Sequence, residues 1–265
     1  MAPPASASLQ ERLLALVKTL QFAWFFGHVS TIFGTLLYAL SIFTFNSNTL
    51  LYKQAYFGAM LSYGVVLYKS HGTPQASTAY MRKLVMDENA QYFLLAVYWF
   101  ISNPIAVTLI PFFTFSTFHA LGYVRTNIIP NVFPAATSNS DSTVTWQAKT
   151  QQKIKAWTDK YYSVAMRFVA HTEVTVIAVR LLLGVFRLQL VPIFLFAQFL
   201  RFRYHLSSYT RQTFTELRVR FDSLLLPPTA DPRIPPVISN AYNVAKIWVS
   251  KFGEAGVQRQ PAAAQ

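Results

Sequence analysis

The sequence predicts an all-α, polytopic integral membrane protein with about four short transmembrane helices arranged as hairpins, plus interfacial amphipathic helices. Three observations predict it. From Gln91 to Tyr123 the chain runs 33 residues without an Asp, Glu, Lys or Arg, and as one helix that would be about 50 Å long against a hydrocarbon core of about 30 Å. Composition agrees: 53% of residues are apolar and 12% charged, with a mean hydropathy of +0.30, where soluble domains carry about 25% charged residues. The charge is also one-sided, 23 Lys and Arg against 10 Asp and Glu. On a membrane protein such an excess gathers on the cytosolic face and meets anionic headgroups. Nucleic acid is the rival partner for a basic chain, but no zinc spacing, RNA-binding signature or compact basic domain accompanies the charge, so the reading is no nucleic acid.

Residues 1–21 read as a tail and lead-in helix, with Leu13, Leu14, Leu16, Val17 and Leu20 beside Arg12 and Lys18. Residues 22–123 read as the membrane region. Its first segment, 22–45, has 24 uncharged residues and contains His28. An intramembrane His can be functional, but with no second ionisable residue in the segment a structural role is expected. The turn cluster Asn46-Ser47-Asn48 precedes a second segment, 54–68, between Lys53 and Lys69; it spans only if those lysines snorkel. Gly58 and Gly64 are small enough for close helix contact. Asn103-Pro104 divides the long uncharged run into 91–103 and 105–123, because proline lacks a donor and disfavours helix at the residue before it.

Residues 124–148 read as a polar loop, Ser- and Thr-rich at 137–145. Residues 149–203 read as a basic amphipathic helix and a membrane-embedded segment. Ile154, Trp157, Tyr161, Val164 and Phe168 recur every three or four residues, with Lys149, Lys153, Lys160 and Arg167 at the border, the pattern of a helix lying in the interface. The apolar run 174–200 then carries Arg180, Arg187 and Pro192, and Glu173, Arg180 and Arg187 are spaced by seven. A central Arg is costly in lipid unless it faces protein, water or headgroups, so the segment is expected to be embedded without a net crossing. The competing function is a small transporter or channel using the Glu173, Arg180 and Arg187 face.

Residues 204–265 read as a cytosolic tail with two amphipathic helices. Phe214, Leu217 and Phe221 form one stripe beside Arg211, Arg218 and Arg220; Tyr242 and Trp248 belong to another beside Lys246 and Lys251. Both are expected to bind the bilayer surface. Charge then fixes the topology. Lys and Arg number two before Phe22, one in 46–53, three in 69–90, six in 124–173 and nine from Arg201 onward. If 91–123 enters and returns, the large basic segments and both termini all face the cytosol, as the positive-inside bias requires.

No GxSxG, HExxH or GxxxxGK[ST] pattern is present, and no His is followed five residues later by Asp. With no cysteine, thiolate nucleophiles, thiolate metal sites and disulfides are absent. The reading is a non-enzyme without cofactor or metal.

Several stretches carry a resemblance: Phe22–Phe45, the aromatic run from Ile110-Pro111 to His119-Ala120, Thr172-Glu173, Arg203-Tyr204, and above all the Arg-x-x-Phe-x-Glu-Leu-Arg stretch from Arg211 to Arg218. Over roughly residues 10–250 the chain resembles the transmembrane protein 33 family, whose fungal members include pore-membrane protein 33 and tetra-spanning endoplasmic reticulum proteins. The stretch 137–145 has no counterpart in that resemblance. The resemblance implies a multi-pass protein of the endoplasmic reticulum and nuclear envelope that shapes tubular reticulum with reticulon-type proteins and contributes to nuclear pore distribution or assembly. It implies no catalytic residues, and it places the membrane-binding role of the C-terminal helices on 206–226 and 238–252.

Overall fold

The computed structural model describes residues 8–134 and 145–254, and among them every regular element is a helix. The chain divides into two units, Met1–Ile177 and Ala178–Gln265. The boundary therefore falls inside the expected 149–203 segment.

In the first unit, α1 (Leu9–Val17) begins at a reciprocal cap, with Ser8 accepting from the Glu11 amide and Glu11 accepting from the Ser8 amide. Thr19 caps α2 (Leu20–Phe43) by accepting from the Phe22 amide. The turn after it uses a left-handed residue, Phe45 (φ 56°). Asn48 then caps α3 (Thr49–His71). This helix is longer than the expected 54–68, because Lys53 and Lys69 sit within its terminal turns rather than outside them. Lys53 places its ammonium 5.9 Å from the centre of the Phe100 ring. At 23 residues, α3 is about 34 Å long and can span.

A short α4 (Thr78–Val85) leads to Asp87, which caps α5 (Glu88–Ile101) by accepting from the Asn89 and Ala90 amides. Helix stops at Ser102, as Asn103-Pro104 predicts, and resumes through a 3-10 turn at Ala106–Thr108 into α6 (Leu109–Tyr123). It does not end at Tyr123: a π turn (Val124–Ile128) carries it into α7 (Ile129–Val132). The expected loop 124–148 is thus helical over its first part, and most of its Ser- and Thr-rich stretch lies outside the described residues. Thr145 caps α8 (Trp146–His171), which continues as a π turn, Thr172–Ile177.

Side-chain pairings fix the helix directions. Ser62 of α3 donates to the Trp24 carbonyl of α2 (2.9 Å), and Thr31 of α2 donates to the Ala55 carbonyl of α3 (3.1 Å), so the two are antiparallel. Tyr63 stacks on Tyr92 while Lys53 meets Phe100, so α3 and α5 are antiparallel. Phe25 stacks on Tyr123 and His28 bonds Ser116, so α2 and α6 are antiparallel. The chain therefore runs down α2, up α3, down α5 and up α6. Both turns, 44–48 and 102–105, lie at one end of the bundle. Leu20, His71, Glu88 and Tyr123 lie at the other. This is the paired-hairpin arrangement that the charge distribution predicts.

α8 departs from the expectation of a helix lying wholly on the surface. It packs antiparallel along α6, with Trp157 and Tyr162 against Phe118, and its π turn reaches the 3-10 turn at Ala106–Thr108.

The second unit begins with α9 (Ala178–Leu182) and a 3-10 turn (Leu183–Arg187), which reverses at the left-handed Leu188 (φ 56°) into α10 (Leu190–Leu206) packed back on α9. Pro192 sits in the first turn of α10, where its missing N–H has no intrahelical acceptor to lose. The tip of this hairpin is apolar and open, Phe186 being 87% and Leu188 85% exposed. Ser207 caps α11 (Ser208–Leu225), and α12 (Pro236–Glu254) follows a proline-rich turn.

Candidate membrane-binding surfaces

The α2–α3 contact is built from residues without bulk. A Cβ placed on Gly27 would lie 2.6 Å from the Gly58 carbonyl oxygen, and one on Gly58 would lie 2.8 Å from the Thr31 amide. Backbone therefore touches backbone, the close packing that small residues allow between membrane helices. Gly64, expected to share this role, does not: its nearest neighbour is a Phe93 ring carbon at an ordinary 3.6 Å.

Where Pro104 breaks the helix, α3 supplies polar groups. Thr108 donates to the Ile105 carbonyl (2.7 Å), and its oxygen receives Tyr52 (3.1 Å) and Tyr56 (2.7 Å). Both tyrosines are fully buried. At the opposite end, His28 is buried, bonded through Nδ1 to Ser116 (3.0 Å), edge-on to Trp24 and 4.8 Å from the His119 ring. The histidine has an ionisable neighbour after all. His28 and His119 lie 91 residues apart in sequence, so no local pattern announces the pair.

On α8 the expected stripe is open to the surroundings. Trp157, Tyr161, Val164 and Phe168 are exposed and Ile154 is half-buried, with Lys153 and Lys160 exposed beside them. The face turned to protein is Met166, Val169 and Ala170. Trp157 also stacks on Phe118, so this residue serves both the bundle and the apolar surface.

Glu173 belongs to a π turn of the first unit, and Arg180 and Arg187 to α9 and the 3-10 turn of the second. The seven-residue spacing assumes continuous α-helix, and the π turn at Thr172–Ile177 and the 3-10 turn at Leu183–Arg187 interrupt it. Glu173 is buried and accepts a 2.5 Å hydrogen bond from Tyr92, whereas Arg180 and Arg187 are exposed. Among the described residues no group of three or more His, Cys, Asp or Glu side chains is placed to hold a metal ion.

In the tail the structure divides the expected binding residues into two kinds. Arg211 donates to the His205 (2.8 Å) and Tyr204 (3.3 Å) carbonyls, closing the C-terminus of α10. Phe214 packs edge-on to Tyr204, and Leu217 is half-buried. Tyr242 and Lys246 are also engaged. The Tyr242 hydroxyl donates to Asp222 (2.7 Å), Lys246 bridges both Asp222 oxygens (2.7 and 2.8 Å), and Ser239 donates to the Leu225 carbonyl (2.8 Å). The hydrogen bonds from Lys246 and Tyr242 hold the Asp222 carboxyl below its ordinary value. Desolvation, followed by the bond to Asp222, pushes the Tyr242 phenol up to about 12.

These contacts dock α12 by its polar edge. The opposite side, with Val237, Val244 and Trp248, is left open, Trp248 being 70% exposed. Phe221, Arg218, Arg220 and Lys251 are likewise exposed. An open apolar side of this kind on a docked helix marks an interaction surface.

The whole chain is similar to known proteins. Residues 2–254 match the family described as transmembrane protein 33/nucleoporin POM33. The chain belongs to that family. It is 36% identical to tetra-spanning protein 1 of Schizosaccharomyces pombe, over 96% of this chain and 93% of that protein. It is 33% identical to nucleoporin POM33 of Chaetomium thermophilum, over 93% and 92%, and 28% identical to the pore membrane protein of 33 kDa of Saccharomyces cerevisiae, over 98% and 92%. No solved structure is significantly similar. As a transmembrane protein 33 family member with four antiparallel bundle helices, this chain is a multi-pass membrane protein. Three stretches are long and apolar enough to cross by composition alone: Leu20–Phe43, Ala106–Val132 and Trp146–Arg187.

Proposed function

We propose that the protein is a non-enzymatic membrane-shaping and scaffold protein of the endoplasmic reticulum and nuclear envelope. It would support tubular reticulum organisation and nuclear pore complex distribution or assembly. Reticulon-type membrane proteins, nuclear pore components and anionic headgroups are its partners in this reading. The relatives' names place two of them at pores. The observation that carries the physical part is α12, docked through Tyr242, Lys246 and Ser239 with its apolar side open. Inserted beside hairpins on the cytosolic side, such a helix adds area to one leaflet and favours a convex cytosolic surface.

The test uses the full chain in proteoliposomes. Val244→Glu combined with Trp248→Glu removes two open apolar residues without touching the Asp222 contacts. The loss in attachment of α12 should be on the order of 2 kcal/mol, about thirtyfold. The variant should integrate normally yet form fewer tubules and larger vesicles. Equal tubulation by wild type and variant would remove curvature from the proposal.

A further inference from the structure

A crevice of about 250 Å³ opens between α6 and α8. Its walls are Phe115, Phe118 and Met166, and its polar groups are His119, Arg125, Asp159 and Tyr162. The crevice lies at the end of the bundle where Trp24, Tyr123 and Trp157 gather, the aromatic girdle that marks headgroup depth. Among the described residues, neither the Arg125 guanidinium nor the Tyr162 hydroxyl has a hydrogen-bond or ion-pair partner. Asp159 is held at 2.5 Å by Lys155, which offsets its repulsion of an anion and leaves carboxylate lone pairs able to accept.

We propose that this crevice is a binding site for one phospholipid whose headgroup carries a hydrogen-bond donor beyond its phosphate. The guanidinium of Arg125 takes the phosphodiester in charge-assisted hydrogen bonds, with Tyr162 as a second donor. Asp159 accepts from the headgroup's ammonium or hydroxyl. One acyl chain runs along Phe115, Phe118 and Met166. Phosphatidylethanolamine satisfies all three contacts; phosphatidylcholine has no donor for Asp159 and leaves that carboxylate unmatched. The site differs from the amphipathic surfaces, which meet the bilayer collectively and select no individual lipid. It would fix the tilt of α8 against α6 through a molecule of the cytosolic leaflet.

The crevice admits a clean test, because a Cβ added at Gly122 meets nothing within 4 Å. Gly122→Leu therefore fills the space without disturbing backbone or charge, while Arg125→Ala removes the phosphate contact. Native mass spectrometry of the full-length protein is performed in mild detergent doped with equal amounts of phosphatidylethanolamine and phosphatidylcholine of different acyl mass. The wild type should retain one phosphatidylethanolamine in about tenfold preference, one strong hydrogen bond's worth. Arg125→Ala should lose retention of both lipids, Gly122→Leu should lose the preference, and Lys53→Ala, at the other end of the bundle, should keep it. Equal retention of the two lipids, or a preference that survives Gly122→Leu, would overturn the site. Displacement of the bound lipid by millimolar glycerophosphoethanolamine, which has no acyl chains, would assign the crevice to a soluble phosphate ester and overturn the lipid.

Discussion

Gly27→Leu should separate α2 from α3 and leave a protein that aggregates on extraction. The side chain would enter space held by the Gly58 carbonyl, 2.6 Å from the new Cβ, and by the Ser62 amide, 2.9 Å away. Neither is a flexible side-chain end, so the helices must part. Parting breaks Thr31 to the Ala55 carbonyl and Ser62 to the Trp24 carbonyl. Overpacking costs about 1–3 kcal/mol, and interhelical hydrogen bonds in bilayers contribute about 0.6 kcal/mol each. The total, on the order of 3 kcal/mol, is a large share of a typical stability. Gly58→Leu should behave alike, whereas Gly64→Ala, against Phe93 at 3.6 Å, should be tolerated. The measurement is the midpoint of thermal aggregation in detergent for the three variants. A Gly27→Leu midpoint equal to that of Gly64→Ala would contradict the backbone contact.

Thr108→Val should cost nearly as much by a different route. The Thr108 hydroxyl uses its one hydrogen on the Ile105 carbonyl and both lone pairs on Tyr52 and Tyr56. Valine keeps the shape and orphans two buried phenols, at about 1–3 kcal/mol for each unsatisfied group. Thr108→Ser should restore most of the loss. So should the triple variant Tyr52→Phe, Tyr56→Phe, Thr108→Val, because removing all the polar partners together leaves nothing unpaired. Unfolding in a graded denaturing detergent reads the series. A triple variant no more stable than Thr108→Val alone would show that the hydroxyls are not what joins the break to α3.

How far the sequence reveals this architecture depends on whether a signal is local. The break at Asn103-Pro104 is legible because proline acts on its own backbone and its neighbour. The return of the chain there is legible through charge, since basic residues cluster in segments that the hairpins bring to one end. The full length of α3 is not legible from uncharged runs, because Lys53 and Lys69 lie within the helix. Nor does its composition announce a span; much of its polarity is Tyr52, Tyr56, Tyr63 and Ser62, all turned into the bundle. The descent of α8 is likewise hidden. Its apolar stripe looks the same whether the helix lies flat or tilts along α6, and only Phe118 against Trp157 and Tyr162 decides.

In the tail, helical periodicity locates both amphipathic helices but cannot tell which basic residues are free. Arg211 and Lys246 look like headgroup binders in the sequence. Their partners, the α10 carbonyls and Asp222, come from neighbouring helices. The Glu173, Arg180 and Arg187 register fails for a related reason: π and 3-10 turns change the residues per turn, and no residue type in that segment announces them.

The paired-hairpin topology is the claim on which the rest depends, and the natural absence of cysteine makes it directly measurable. Single cysteines are introduced as Gln75→Cys and Lys149→Cys at the basic end, and as Ser47→Cys and Asn103→Cys at the two turns. Sealed reticulum vesicles with the cytosolic face outward are treated with a membrane-impermeant maleimide. Positions 75 and 149 should label without permeabilisation, and 47 and 103 only after it. Protection of Lys149→Cys in sealed vesicles would mean that 91–123 crosses once, and would rule out the paired hairpins.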